Sequence, residues 1–481
     1  RTLRFVPPAT GPWLDTLTVQ PRGRIWWPST ESIPVTLRAA PGAIVQLRLP
    51  SGQVVPLAND PRLSEVPWGT RAFETDTSKL TRPPAADRYA GLFAPTPLGD
   101  PGPLFGARAA SGPPDRPTAR PIIEVILGAD TARWNWPIRV ATLDGAPRVV
   151  MFDDDTARKG DTDQLTVGRT VPAGTYYYFF PTGTRTAVTA RVNNDLRVRL
   201  SDETSAWVSA GDAMPLLPGL PITGATVGSV RLTRAADRVS IRIPVSWRVP
   251  FKVLEEEKRL TLTFFGAQGD VNWIQYGPAD PLIDQVRWSQ PVGDEVALTV
   301  DLSDPVWGYR TRWDGNDLIL EVKRPPRLDP ARPLRGLKIV IDPGHPPVGA
   351  TGPTGYKEPE ANLAIAQRLA PLFRAAGATV LLTRKDSLPV DLWPRIRFAD
   401  SAGADLLVSI HNNALPDGVD PFTNNGTSVY YNQPRSLAWA RPVEAALVRR
   451  LGIPELGVGR GDLALVRPTW MPSILTEGMF L

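Results

Sequence analysis

Leu337-Lys338-Ile339-Val340-Ile341-Asp342-Pro343-Gly344-His345 decides the fold of the last third of this chain. A short β-branched apolar run reads as a buried strand, Asp-Pro-Gly reads as its turn, and an imidazole follows. Asp405-Leu406-Leu407-Val408-Ser409-Ile410-His411 repeats the plan. Open α/β sheets build their sites at the C-terminal ends of strands. These two are the only histidines in 481 residues. Imidazole is a common metal ligand and the side chain best suited to proton transfer near neutral pH. The pattern predicts that both histidines serve chemistry.

Around these strands, Leu363, Ala366, Leu369, Ala370 and Phe373 recur at helical spacing, as do Val443, Ala446, Leu447 and Val448. Thr379 to Leu382 and Ser473 to Thr476 read as further strands. Such alternation predicts an α/β domain over residues 336–481, with a mainly parallel sheet flanked by helices. Glu477 ends the last strand as His411 ends its own. A carboxylate in that place is either structurally paired or poised for catalysis.

Upstream the texture is all-β, and the whole chain reads as multidomain. Leu14-Asp15-Thr16-Leu17-Thr18-Val19 and Ile44-Val45-Gln46-Leu47-Arg48-Leu49 alternate, which predicts an Ig-like sandwich over residues 1–98. Residues 99–120, rich in Pro, Gly, Ala and Arg, read as a linker. Residues 121–220 carry the aromatic run Thr175-Tyr176-Tyr177-Tyr178-Phe179-Phe180 and read as an SH3-like β domain. A packed strand pair explains that run better than a sugar-stacking face. Residues 221–325 alternate again, as in Val239-Ser240-Ile241-Arg242-Ile243, and predict a second sandwich. Its Trp273, Trp288, Trp307 and Trp313 are expected in packing roles. Residues 326–335 read as a Pro-rich tether, extended where polyproline.

Composition sets outer bounds. A hydrophobic content of 42% supports packed cores, and 53 prolines with 40 glycines favour turn-rich β modules. The absence of cysteine excludes a disulfide framework, a thiolate nucleophile and thiolate zinc sites. The formal charge of +5 suits attraction to an anionic polymer. No nucleic-acid fold signature is present, so no nucleic-acid partner is expected. No apolar stretch approaches the roughly 18 residues of a membrane span. A chain opening at Arg1 is expected to be processed and exported, to the periplasm or cell envelope.

Five segments then fall in register. Asp342-Pro343-Gly344-His345, Glu358 four residues before Asn362, Leu382-Thr383-Arg384, Ser409-Ile410-His411-Asn412-Asn413 and Thr476-Glu477-Gly478 resemble the zinc-dependent N-acetylmuramoyl-L-alanine amidases in order and spacing. Residues 221–325 resemble, in strand spacing and place, the AMIN modules that precede such enzymes.

The resemblance implies that His345, Glu358 and His411 bind one Zn²⁺ and that Glu477 is the catalytic carboxylate. Two imidazoles and one carboxylate leave a fourth tetrahedral position for water, as in catalytic zinc sites. Glu477 would take the water's proton and pass it to the leaving amine. The bond cut would be the amide between N-acetylmuramic acid and L-alanine of peptidoglycan, in wall remodelling or daughter-cell separation. Glu360 is the rival to Glu358, and its alternative role is favouring the helix dipole. Asn413 either orients substrate or supports its loop. Arg384 and Arg395 are expected in scaffolding ion pairs. Asp342 either accepts from His345 or sets the turn before Pro343.

The sequence departs from the family pattern at Pro346-Pro347, which replace a glycine pair, and at Asp400, which replaces Asn. It also stops at Leu481, where relatives continue into another helix, so a C-terminally shortened domain is expected. Residues 412–425 are expected to leave the groove open, with no blocking helix. The alternative function is a non-catalytic, peptidoglycan-binding envelope scaffold with a degenerate amidase domain. Envelope proteins are the expected partners of the upstream β domains.

Overall fold

The computed structural model describes residues 7–8, 10–60, 86–105, 120–153, 165–217, 219–222, 224–415 and 425–481. These fall into two compact units that divide near residue 222.

The first unit is all-β among its described residues. Its seven-stranded sheet runs in the order Leu14–Gln20, Ile33–Ala39, Arg88–Phe93, Val54–Asn59, Ile44–Arg48, Ile122–Leu127 and Asp130–Asn135. Ile122–Leu127 therefore joins the strands expected to end at residue 98, pairing antiparallel with Ile44–Arg48. In return, Gly23–Trp27 leaves its expected module to pair with Arg185–Val192 and, in parallel, with Ile138–Thr142. The expected division at residues 99–120 is thus corrected: the segments on either side exchange strands. Composition marks a Pro/Gly-rich connection, but only side-chain packing decides where the next strand goes. Ile123 and Val125 are buried with Val45 and Leu47, and Glu124 binds Arg48 and Arg133 on the other face. Residues 106–119 of the expected linker lie outside the described residues. The aromatic run splits by face: Tyr178 and Phe180 are buried and stack 5.5 Å apart, whereas Tyr176 and Tyr177 are exposed.

The second unit opens with a β-sandwich. A five-stranded sheet, Ile274–Gln275, Val230–Arg234, Arg238–Pro244, Asp317–Lys323 and Gly308–Asp314, faces a four-stranded one, Phe251–Glu256, Arg259–Phe265, Glu295–Leu302 and Ile283–Val292. Alternation drives the packing. Val239, Ile241 and Ile243 from one sheet and Leu260, Leu262 and Phe264 from the other share one core. Trp313 packs edge-on against Phe251 at 5.9 Å, but Trp273 is 70% exposed, against the expected packing role. Residues 329–337 form successive turns, with Arg332, Arg335 and Leu337 each donating to the residue three positions back. The expected extended tether is therefore folded, and Leu334 rests on the next core.

In the C-terminal domain, numbered from its first strand, the elements are β1 (Lys338–Pro343), α1 (Glu358–Ala375), β2 (Thr379–Leu382), α2 (Leu392–Ser401), β3 (Leu406–Asn413), β4 (Thr427–Tyr431), α3 (Leu437–Leu451), β5 (Glu455–Arg460) and β6 (Ser473–Phe480). The sheet order is β2-β1-β3-β6-β4-β5. Four pairings are parallel, but β4 and β6 are antiparallel, so the sheet is mixed. Strand periodicity sorts its faces. Ile339, Ile341, Val408 and Ile410 meet Ala366 and Ala370 of α1 and Ala440 of α3, while Val340 and Leu407 meet Ile396 and Ala399 of α2. No helix among the described residues is long and apolar enough to cross a membrane.

Candidate metal centre

Strand register assembles the site. β1 and β3 run parallel with Asp342 opposite Ser409, so the turn after β1 delivers His345 beside the end of β3. β3 and β6 place His411 opposite Glu477. Glu358 is the first residue of α1 and reaches back to both imidazoles.

Three donors converge. His345 Nε2 lies 3.2 Å from Glu358 Oε2, and His411 Nδ1 lies 3.0 Å from Glu358 Oε1. One donor atom from each of the three residues falls within 4.8 Å of the others, a grouping able to hold a metal ion. The imidazole rings stand 4.9 Å apart at 80°. Gly344 permits this approach, because a Cβ there would sit 2.2 Å from His411 Nε2. His345 itself takes φ +55, a left-handed conformation rare outside glycine.

Glu358 is almost fully enclosed. Burial opposes its ionisation, yet the hydrogen bonds from His345, His411 and the Ala350 N–H win, holding its carboxyl far below the usual range. Asn362, one helical turn on, donates to Glu358 Oε1 at 3.3 Å and to the Gly344 carbonyl at 3.1 Å. Asn412 donates to Asn362 Oδ1 at 2.8 Å, completing a buried amide pair behind the cluster. The rival Glu360 is exposed on the outer side of the same helix.

Glu477 has the opposite environment. Its Oε2 is buried and has no hydrogen-bond partner among the described residues. Burial, reinforced by the charge of Glu358, pushes its carboxyl up to about 8.

The remaining expected residues frame the cluster. Asp342 is fully buried and accepts from Thr383 Oγ1 at 2.5 Å, Ser409 Oγ at 2.6 Å and Arg395 Nη1 at 2.9 Å. Its carboxylate thus serves Arg395 and the strand junction rather than His345, the first of the two roles expected for it. Arg395 also donates to the carbonyls of Pro343, His345 and Pro346, tying down the turn that presents His345. Arg384 donates to the carbonyls of Pro343, Gly344, Pro359 and Asp386, a backbone brace rather than the expected ion pair. Asn413 caps its own loop through the Ala414 N–H at 2.8 Å, and its carbonyl accepts from the Leu481 N–H at 3.0 Å. Asn412 is the site residue that sequence reasoning missed. Its signal was a buried-side amide alternating with His411 on β3. The expectation of an open groove rests largely on residues 416–424, which lie outside the described residues.

Comparison with known proteins follows this geometry. Residues 339–481 match the family model described as N-acetylmuramoyl-L-alanine amidase. The chain is 36% identical over 155 residues to N-acetylmuramoyl-L-alanine amidase LytC of Bacillus subtilis (strain 168), covering 31% of this chain and 30% of LytC. It is 32% identical over 157 residues to the uncharacterized protein YqiI of the same strain, covering 31% of this chain and 73% of YqiI. Among solved structures, the catalytic domain of CwlV, the N-acetylmuramoyl-L-alanine amidase from Bacillus (Paenibacillus) polymyxa var. colistinus, is 30% identical, with 30% of this chain and 80% of that one covered and a TM-score of 0.28. The chain thus spans under a third of the length of LytC. The family match begins at Ile339, on the strand that delivers His345, and runs past Glu477; through this segment the chain belongs to the N-acetylmuramoyl-L-alanine amidase family.

Proposed function

We propose that residues 336–481 hydrolyse the amide joining the lactyl group of N-acetylmuramic acid to L-alanine in peptidoglycan, using zinc held by His345, Glu358 and His411. The observation that carries this reading is the convergence of two imidazoles and a carboxylate beside a second carboxylate whose Oε2 has no hydrogen-bond partner among the described residues.

The donor set fits the metal. Zinc prefers nitrogen and carboxylate oxygen at about 2.0–2.2 Å, which places tetrahedral donors about 3.3 Å apart. Two imidazole nitrogens and one carboxylate oxygen, all within 4.8 Å of one another, are the ligand types this metal takes. Zinc bound there supplies Lewis acidity toward a carbonyl and lowers the pKa of water. The protein's part is proton handling and alignment. Glu477 Oε2, free of partners among the described residues, accepts the proton of the attacking water and returns it to the departing alanine nitrogen. A cation held by Glu358 would offset the charge that helps keep Glu477 protonated and would favour its base form. Arg395 and Arg384 hold the carbonyls on either side of the His345 turn and thereby fix the imidazole.

A wall substrate places the protein's work in the cell envelope, where the upstream β modules serve as contacts to the wall or to envelope partners. The test is metal analysis with a peptidoglycan digest read by mass spectrometry. We expect one zinc per chain and intact stem peptides with free L-alanine amino termini. Cleavage inside the stem peptide would replace the bond assignment. Bound sacculi without product would favour a wall-binding scaffold.

A further inference from the structure

The strand that carries Glu477 is gripped from outside its own domain. It begins at Ser473, directly after Pro468-Thr469-Trp470-Met471-Pro472. The Thr469 carbonyl accepts the backbone N–H of Tyr309 in the sandwich at 2.7 Å and Arg435 Nη2 at 2.6 Å. Arg435 also donates to the Pro468 carbonyl at 3.2 Å. Its guanidinium is paired with Glu255 of the sandwich, whose Oε1 takes the Arg435 backbone N–H at 3.0 Å. Both side chains are buried, at 4% and 2% exposure. Next along, the ring of Trp470 lies under the Arg310 guanidinium at 4.2 Å and near Lys323 Nζ at 5.5 Å, both from the sandwich. Gly308 touches the same backbone: a Cβ there would sit 2.1 Å from the Trp470 carbonyl oxygen.

We propose that the sandwich positions Glu477 by anchoring the entry of β6, with Arg435, Gly308 and Tyr309 as positioning residues. This rests on the proposed role of Glu477 as proton carrier. A parallel pair with β3 fixes β6 sideways, through His411 opposite Glu477. Fixing its start against Thr469 and Trp470 sets its position along the strand axis. The sensitivity is steep, since a misplacement of about 1 Å in a catalytic group costs up to about a hundredfold in rate. None of the sandwich contacts named here touches His345, Glu358 or α1, so the grip acts first on β6 and its carboxylate rather than on those two ligands.

Gly308→Ala tests this by inserting one methyl against the Trp470 carbonyl. Arg435→Lys tests it separately, keeping a positive charge opposite Glu255 but losing the fork that spans Glu255, Pro468 and Thr469. Gly293→Ala, in the same sandwich with open space around its Cβ position, is the matched control. On a soluble N-acetylmuramoyl-peptide, both test variants should lose about ten- to hundredfold in kcat. KM and metal content should stay unchanged, and the control should match wild type. Hydrogen exchange should quicken in residues 473–480 of the test variants and stay constant in 338–343. Wild-type kcat in both test variants, or loss of metal together with kcat, overturns the proposal. Inactivity of the wild type would instead sink the amidase reading, while the exchange pattern would still report on the grip.

Discussion

Two glutamates of the C-terminal domain, one opening α1 and one on β6, face the same cluster and live under opposite conditions. Glu358 is surrounded by donors: two imidazoles, the Ala350 N–H and Asn362. Glu477 is half-buried, its enclosed Oε2 has no donor among the described residues, and Glu358 repels its charge. One carboxyl is held down and the other pushed up. Environment, not residue type, suits one carboxyl to binding a cation and the other to carrying a proton.

The comparison breaks most completely at its first member. Glu358→Gln removes the negative charge that the two imidazoles share. Metal content by mass spectrometry and hydrolysis should both fall to background, while Glu360→Gln, exposed on the same helix, should change neither. Equal losses in the two variants would show that the ligand had been misassigned.

Glu477→Gln comes next. Metal should remain, and kcat should drop by about 10²–10⁴, the usual contribution of a positioned acid–base group. In the metal-free protein, a carboxyl raised from near 4.5 to about 8 keeps a proton in the folded state that the unfolded chain has lost. Wild-type stability should therefore fall as pH rises through that window, and Glu477→Gln should flatten the slope. Thermal melts of both proteins at pH 5 and pH 8 read this directly, and parallel slopes would show that Glu477 is not held protonated.

The smallest effect sharpens the first region. Asn412→Ala strips the buried Asn362 Oδ1 of its donor and should cost about 1–3 kcal/mol by denaturant unfolding. Metal should still bind, with reduced affinity. A cost near zero would mean that the amide pair is idle.

These contrasts also show what a sequence discloses. The convergence of His345, Glu358 and His411 was legible because strand ends, helix starts and two scarce histidines are local signals. Glu358 was separable from Glu360 only through the family resemblance, which sets its glutamate four positions before Asn362. The partners of Asp342 were not legible, because Thr383, Ser409 and Arg395 reach it from three different elements. Arg384 was misread for a similar reason: carbonyls offered by a turn leave no mark in the residue code. Upstream, alternation gave the β character of every module. Strand partnership across residues 99–120 stayed hidden, since periodicity states which face of a strand is apolar and not which sheet receives it.

The strand exchange in the first unit has a practical meaning for how this protein can be cut. Cleaving or recombining the gene near residue 110 would leave Ile44–Arg48 without its neighbour Ile122–Leu127 and Arg185–Val192 without Gly23–Trp27. Each half would then carry raw, adhesive edges and stick to other chains. The described strands on either side of that point therefore stand or fall together, however many modules their composition suggests.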